Sequence, residues 1–146
     1  MTATIRVSAA VVTDAGGRAL LVRKRGTGMF MQPGGKPEPG ESPVQTLVRE
    51  LKEELGVRVR TGSLRALGRF TAAAANEAGH DVVADAFALH LAPAAVRPAA
   101  EIDEARWVTA DQLGTLQIAP LSRDILLPLI WRARRASRGP VVVPAL

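Results

Sequence analysis

Residues 35 to 57 read GKPEPGESPVQTLVRELKEELGV, and this stretch constrains the fold more than any other part of the chain. Ser42 is suited to N-cap a helix, Pro43 to be its first residue, and Gln45 to complete a capping box. Gly56 fits the left-handed position that stops a helix. The pattern predicts a helix from Pro43 to Leu55, with Val44, Leu47, Val48, Leu51 and Leu55 as its buried stripe. Such a helix must lie on an apolar surface.

Its other edge is acidic. Glu50, Glu53 and Glu54 stand at i, i+3 and i+4 and so fall within an arc of roughly 100°. Like charges at that spacing cost an isolated helix roughly 0.2–0.5 kcal/mol per pair, so a cation should offset them. Arg49 can reach part of the cluster; Mg²⁺ or Mn²⁺, which prefer oxygen, would take two or three carboxylates together with water and phosphate oxygens. A solvated acidic face beside Lys52 is the plain alternative. The preceding loop, Gln32-Pro-Gly-Gly35 followed by Lys36-Pro-Glu-Pro-Gly-Glu41, favours the metal, because its glycines permit close approach and its prolines restrict the chain.

The remainder supplies a scaffold for that loop and helix. Residues 5 to 13 and Ala19 to Arg25 are β-branched strand candidates joined by the turn Asp14-Ala-Gly-Gly17, and Val57-Arg-Val-Arg60, Leu64 to Thr71 and Val82 to Leu91 are further strand candidates. An Ala-rich stretch at 72 to 80 separates the last two. Pro93 to Ala100 connects to the acidic Glu101-Ile-Asp-Glu104, and a short strand is expected at Arg106-Trp-Val108. Thr109 to Gln112 has the form of a capping box, and Leu121 to Arg135 is helical with Pro128 kinking or restarting it. Strands interspersed with helices indicate a layered α/β domain.

Composition narrows the classes. With 146 residues, 47% apolar, one domain spanning 1 to 146 is expected. No run of about eighteen apolar residues suggests a membrane span, and the N-terminus lacks a leader pattern, so the expectation is a soluble, cytoplasmic protein. The chain has no cysteine, which excludes disulfides, thiolate metal sites and a cysteine nucleophile. A net charge of +5 suits a polyanionic substrate such as a nucleotide, or reflects solvated arginines. With no tyrosine, three Phe and two Trp, a groove for nucleic acid would lack stacking platforms. His80 and His90 read as surface residues, Trp107 as core, and Phe30 either as pocket wall or as packing beneath the loop. The basic run Arg132, Arg134, Arg135 and Arg138 suits the end of the last helix.

Gly35, five residues, Glu41, seven residues, then Arg-Glu-Leu-x-Glu-Glu-x-Gly-Val resembles the Nudix box at every defining position. The flanking strands and closing helices resemble the family only in architecture. The resemblance implies an α/β/α sandwich with a mixed β-sheet, in which residues 35–57 form the catalytic loop and helix. It further implies hydrolysis of a pyrophosphate linkage in a nucleoside diphosphate derivative with Mg²⁺ or Mn²⁺. Glu50, Glu53 and Glu54 would then hold the metal, with the Gly34 carbonyl as a further ligand. Arg49 would orient a carboxylate with Glu41 as its partner, and Glu50 is a candidate general base with Glu101 as rival. Glu101, ahead of Asp103 and Glu104, is the expected extra acid from the later loop, and Arg23 the expected phosphate contact.

The chain lacks the marks of two subfamilies: it has no proline from Val44 to Ala92 and no tyrosine anywhere. It looks more like the group that converts nucleoside triphosphates, including oxidised ones, to monophosphate and pyrophosphate. Nucleotide sugars, dinucleoside polyphosphates and 5′-pyrophosphorylated RNA remain alternative substrates, and a non-catalytic nucleotide-binding regulator is an alternative class. An isomerase on the same fold would want a cysteine. Exposed strands would admit a homodimer.

Overall fold

A computed structural model describes residues 3–74 and 77–137. Its centre is a seven-stranded mixed sheet made of β1 (Ala3–Thr13), β2 (Ala19–Lys24), β3 (Phe30–Met31), β4 (Gly34–Gly35), β5 (Arg65–Ala73), β6 (His80–His90) and β7 (Ile102–Val108). The order along the sheet is β3-β2-β1-β6-β5; β4 adds to β1 and β7 to β2. β1 runs parallel to β6 over its whole length, from Ala3 opposite His80 to Thr13 opposite His90. β1 and β2, by contrast, pair only at Thr13 and Ala19, next to the turn in which Asp14 accepts from the Arg18 N–H. Beyond that point they diverge, and β4 enters on β1 with Ala9 opposite Gly34 and Ser8 opposite Gly35. The loop that carries the Gly-rich motif is thereby inserted into the middle of the sheet.

The alternation of β1, β2 and β6 divides the core between two faces. Ala10, Val12, Leu20, Val22, Phe87 and Leu89 point to helix α1 (Pro43–Leu55), meeting Leu47, Leu51 and Leu55. Ala9, Val11, Ala84, Ala86 and Ala88 point the other way, to Leu121, Leu126 and Ile130 of the C-terminal helical segment. That segment is a π-type stretch, Leu121–Leu126, followed by helix α2 (Leu127–Ser137), so the helix restarts where Pro128 enters its first turn. The layers are therefore helix, sheet, helix. Trp131 fixes α2 by donating from Nε1 to the Gly17 carbonyl at 2.9 Å.

Some expectations need correction. Residues 57–60 alternate in sequence but form no strand; Val57 and Val59 pack on the α1 core while the chain turns through a short 3-10 stretch at Thr61–Ser63. β7 begins at Ile102, so Asp103 and Glu104 lie in a strand and not in a loop. The Thr109 capping box is present, but it opens a 3-10 segment, Ala110–Thr115. Arg138 lies outside the described residues, as do two residues of the Ala-rich 72–80 stretch. No helix among the described residues is long and apolar enough to cross a membrane.

Candidate active site

The helix that carries the carboxylates is held at both ends. Ser42 accepts from the Gln45 N–H at 3.2 Å and the Gln45 side chain accepts from the Ser42 N–H at 2.9 Å, which satisfies two otherwise free donors. The Ser8 hydroxyl donates to the Pro43 carbonyl at 2.9 Å and anchors this end to β1. At the other end Gly56 adopts φ 68°. The Arg97 and Ala99 N–H groups donate to the Leu55 and Glu54 carbonyls, both at 2.9 Å, so the connection after β6 completes the last turn. The same connection delivers Glu101, whose carbonyl accepts from the Arg25 N–H at 2.8 Å.

The three carboxylates of α1 occupy three different environments. Glu54 is 1% exposed; its Oε1 accepts from the Gly34 N–H at 3.0 Å, and its Oε2 is buried with no hydrogen-bond partner. Burial pushes this carboxyl up to about 8, the Gly34 N–H opposes the shift, and the negative charge of Glu50 adds to it. Glu50 is also raised, by burial first, against the lowering influence of Arg49. Glu53 is half exposed and lies 3.5 Å from Arg49. The sequence-level picture of one uniform acidic face therefore resolves into a buried, a largely buried and an exposed group.

Gly34 and Gly35 are required by the closeness of these parts. A side chain at Gly34, whose φ is 149°, would collide with the Ser8 carbonyl, and one at Gly35 would collide with the Glu50 carboxylate. Arg49 braces the loop: it donates to Glu41 from Nε at 2.6 Å and from Nη2 at 2.9 Å, and to the Lys36 carbonyl at 3.0 Å. Those hydrogen bonds hold the Glu41 carboxyl down at about 2. Buried Thr46, which no sequence pattern singled out, donates to Glu41 at 3.0 Å.

A cavity of about 680 Å³ opens over this corner. Gly34, Gly35, Arg49, Glu50, Glu101 and Lys24 line it together with the apolar Ile5, Val7, Met31, Val82 and Leu121. Of the three acids in the 101–104 segment Glu101 alone lines it; Asp103 faces Arg23 at 3.4 Å and Glu104 is bound by Arg106. Arg23 is not among the lining residues. Its guanidinium donates to the Thr27 carbonyl at 3.1 Å and lies against Asp103 and Glu104. Lys24 takes the place expected of Arg23, with its Nζ 3.4 Å from Glu101. The reason is parity: Leu20, Val22 and Lys24 share the α1 face of β2, whereas Arg23 follows Leu21 to the other side. The register between β2 and β7 shifts here, with Arg23 opposite Glu104 and Lys24 opposite Ile102. Phe30 packs in the core beneath the loop, under the Arg106 guanidinium, and His80 and His90 stand outside the cavity.

A NUDIX domain profile matches residues 3–129. The chain belongs to the Nudix hydrolase family. Among solved structures, this Nudix chain is similar to the E. coli ORF135 protein (27% identity, TM-score 0.66, covering 95% of this chain and 96% of that one). It also resembles the MutT protein of Methanosarcina mazei Go1 (23%, 0.74, 92% and 97%) and the NUDIX domain of Shewanella oneidensis NrtR, complexed with ADP ribose (21%, 0.70, 93% and 90%). A Myxococcus xanthus protein named octanoyltransferase is 41% identical over 107 residues, which are 70% of this chain. The Nudix chain spans only 30% of that relative's length.

The donor set suits a hard cation. Glu50, Glu53, Glu54 and Gly34 offer oxygen alone, and the unpartnered buried Oε2 of Glu54 is a group that a cation would satisfy. Among the described residues no three acidic or histidine side chains form a ready-made cage.

Proposed function

We propose that this Nudix hydrolase cleaves a nucleoside triphosphate, an oxidised one included, to the monophosphate and pyrophosphate with Mg²⁺ or Mn²⁺. The observation that carries the reading is one cavity of about 680 Å³, a size typical of small-molecule sites, whose lining combines apolar residues with Glu50, Gly34, Glu101 and Lys24. Glu50, Glu53 and Glu54, with the Gly34 carbonyl, would hold the metal, and Glu101, which lines the same cavity, would join them. When bound, the ion stabilises charge developing on phosphate oxygens and acidifies a coordinated water.

The chain's own groups would do the rest. Lys24 would neutralise a phosphate oxygen at the cavity floor, and its contact with Glu101 keeps the ammonium oriented. Arg49, fixed by Glu41, would hold the loop and the first half of α1 in register, and so set the direction of Glu50 and Glu53. Glu50, largely buried and with its carboxyl raised by that burial, would accept the proton of the attacking water, with Glu101 as the alternative base.

The NrtR neighbour, a NUDIX domain complexed with ADP ribose, keeps a nucleotide-binding regulator in view; three carboxylates on α1 favour hydrolysis, because binding alone needs fewer. The test is to incubate the protein with Mg²⁺ or Mn²⁺ and a panel of nucleoside triphosphates, ADP-ribose, nucleotide sugars, dinucleoside polyphosphates and 5′-triphosphate RNA, and to identify the products. Preferred release of monophosphate and pyrophosphate from a triphosphate supports the proposal. Preferred cleavage of another panel member, or binding without turnover, refutes it.

A further inference from the structure

Gln32 is 6% exposed, lines the cavity, and has neither its Nε2 nor its Oε1 engaged by a hydrogen-bond partner among the described residues. A buried amide normally has both ends paired, since each unpaired polar atom loses its water without compensation. The cavity is lined by apolar residues such as Val7, Ala119 and Leu121 and by polar ones such as Ser8, Ser122 and Lys24, yet none among the described residues hydrogen-bonds the Gln32 amide. Packing alone would be better served at this position by leucine or methionine. The chain instead keeps a group that offers one donor and one acceptor side by side, within the cavity that Lys24, Glu50 and Glu101 also line.

We infer that Gln32 is a specificity residue that reads a nucleobase edge bearing an adjacent donor and acceptor. This rests on the proposal that a nucleotide occupies the cavity. An amide pairs in two parallel hydrogen bonds with such an edge: the amino and ring nitrogen of adenine or cytosine, or the ring N–H and carbonyl of uracil or guanine. It cannot do so with two adjacent acceptors, nor with a base that carries no exocyclic group. The lining of the cavity then divides the work, with the phosphates at Lys24 and the carboxylates and the base at Gln32. Gln32 immediately precedes Pro33 and Gly34, so the residue that touches the base is two positions from the backbone that binds Glu54. A base seated on Gln32 would therefore fix the loop that positions the phosphates.

The experiment compares the full-length protein and Gln32→Leu in two assays. The first measures kcat/KM with Mg²⁺ for the four common ribonucleoside triphosphates and for purine riboside triphosphate, which lacks the exocyclic group. The second measures calorimetric binding of the corresponding monophosphates. Gln32→Leu should lower kcat/KM for the preferred nucleotide about ten- to hundred-fold, mainly through KM. It should leave purine riboside triphosphate within about two-fold and should not lower Tm, because an unpaired amide has been replaced by an apolar group of similar shape. Equal losses on both substrates, no loss on either, or a lowered Tm would overturn the assignment. If the wild-type protein turns over none of the nucleotides but its monophosphate binding is base-selective and weakened by Gln32→Leu, the hydrolase proposal fails while the Gln32 assignment stands. If no monophosphate binds and none is turned over, both fall.

Discussion

Replacing Glu54 with glutamine should remove a pH dependence from the stability of the metal-free protein. The carboxyl is 1% exposed and burial pushes it up to about 8 from an ordinary 4.5, so the folded state keeps a proton that the unfolded state gives up. Below about pH 4.5 both states are protonated and the group has no effect. Between about pH 5 and about pH 8 the unfolded state binds fewer protons, and stability falls as pH rises, by at most about 1.4 kcal/mol per unit. Relaxation around a buried charge reduces the total to about 2–4 kcal/mol across that window. Glutamine keeps an acceptor for the Gly34 N–H but has no charge to bury. Urea unfolding in EDTA at pH 5, 6, 7 and 8 should therefore show wild type losing ground to Glu54→Gln with each step. Adding Mg²⁺ at pH 8 should stabilise wild type more than the variant, because the variant lacks one of the carboxylates that would hold the ion. A wild-type stability that is flat or rises over this range relative to the variant would refute the burial argument.

Other substitutions test the scaffold and the phosphate end. Leu51→Ala, fully buried against the sheet, should cost about 2–5 kcal/mol in chemical denaturation. Gly34→Ala should destabilise by at least about 1–3 kcal/mol and lower Tm, because the new methyl meets the Ser8 carbonyl in a backbone conformation that alanine avoids. Lys24→Gln should raise KM for a triphosphate about ten- to hundred-fold with a smaller change in kcat, whereas Arg23→Gln, which faces Asp103 and Glu104, should leave steady-state kinetics nearly unchanged.

Much of this molecule is legible in the sequence wherever a local rule governs. Ser42, Pro43, Gln45 and Gly56 delimit α1 because capping depends on residues within one turn of each other, and Leu47, Leu51 and Leu55 announce its buried side by period alone. A layered α/β domain follows from the mix of elements, the helix-sheet-helix form is what the resemblance to the Nudix family implies, and the NUDIX domain match supports it. What escapes is set by pairings between distant segments. Val57 and Val59 have strand periodicity, yet they pack on the α1 core and pair with no strand among the described residues. The distinction between Arg23 and Lys24 needed the knowledge that α1 covers the Leu20 and Val22 face, after which parity alone would have pointed to Lys24. The unequal burial of Glu50, Glu53 and Glu54 depends on the insertion of β4 beside β1, and Gln32 becomes conspicuous only when its surroundings leave it without partners.

The central claim, that the α1 carboxylates support metal-dependent cleavage of a nucleotide pyrophosphate bond, is tested most directly by product analysis of the best triphosphate substrate with wild type and Glu53→Gln. Glu53 is half exposed, so the substitution should leave the fold intact and let any change in rate report on chemistry. The account predicts monophosphate and pyrophosphate from wild type only when Mg²⁺ or Mn²⁺ is present, and a rate at least about a hundred-fold lower for Glu53→Gln. Turnover that persists in EDTA, or a folded Glu53→Gln protein that works at near-normal rate, would contradict it.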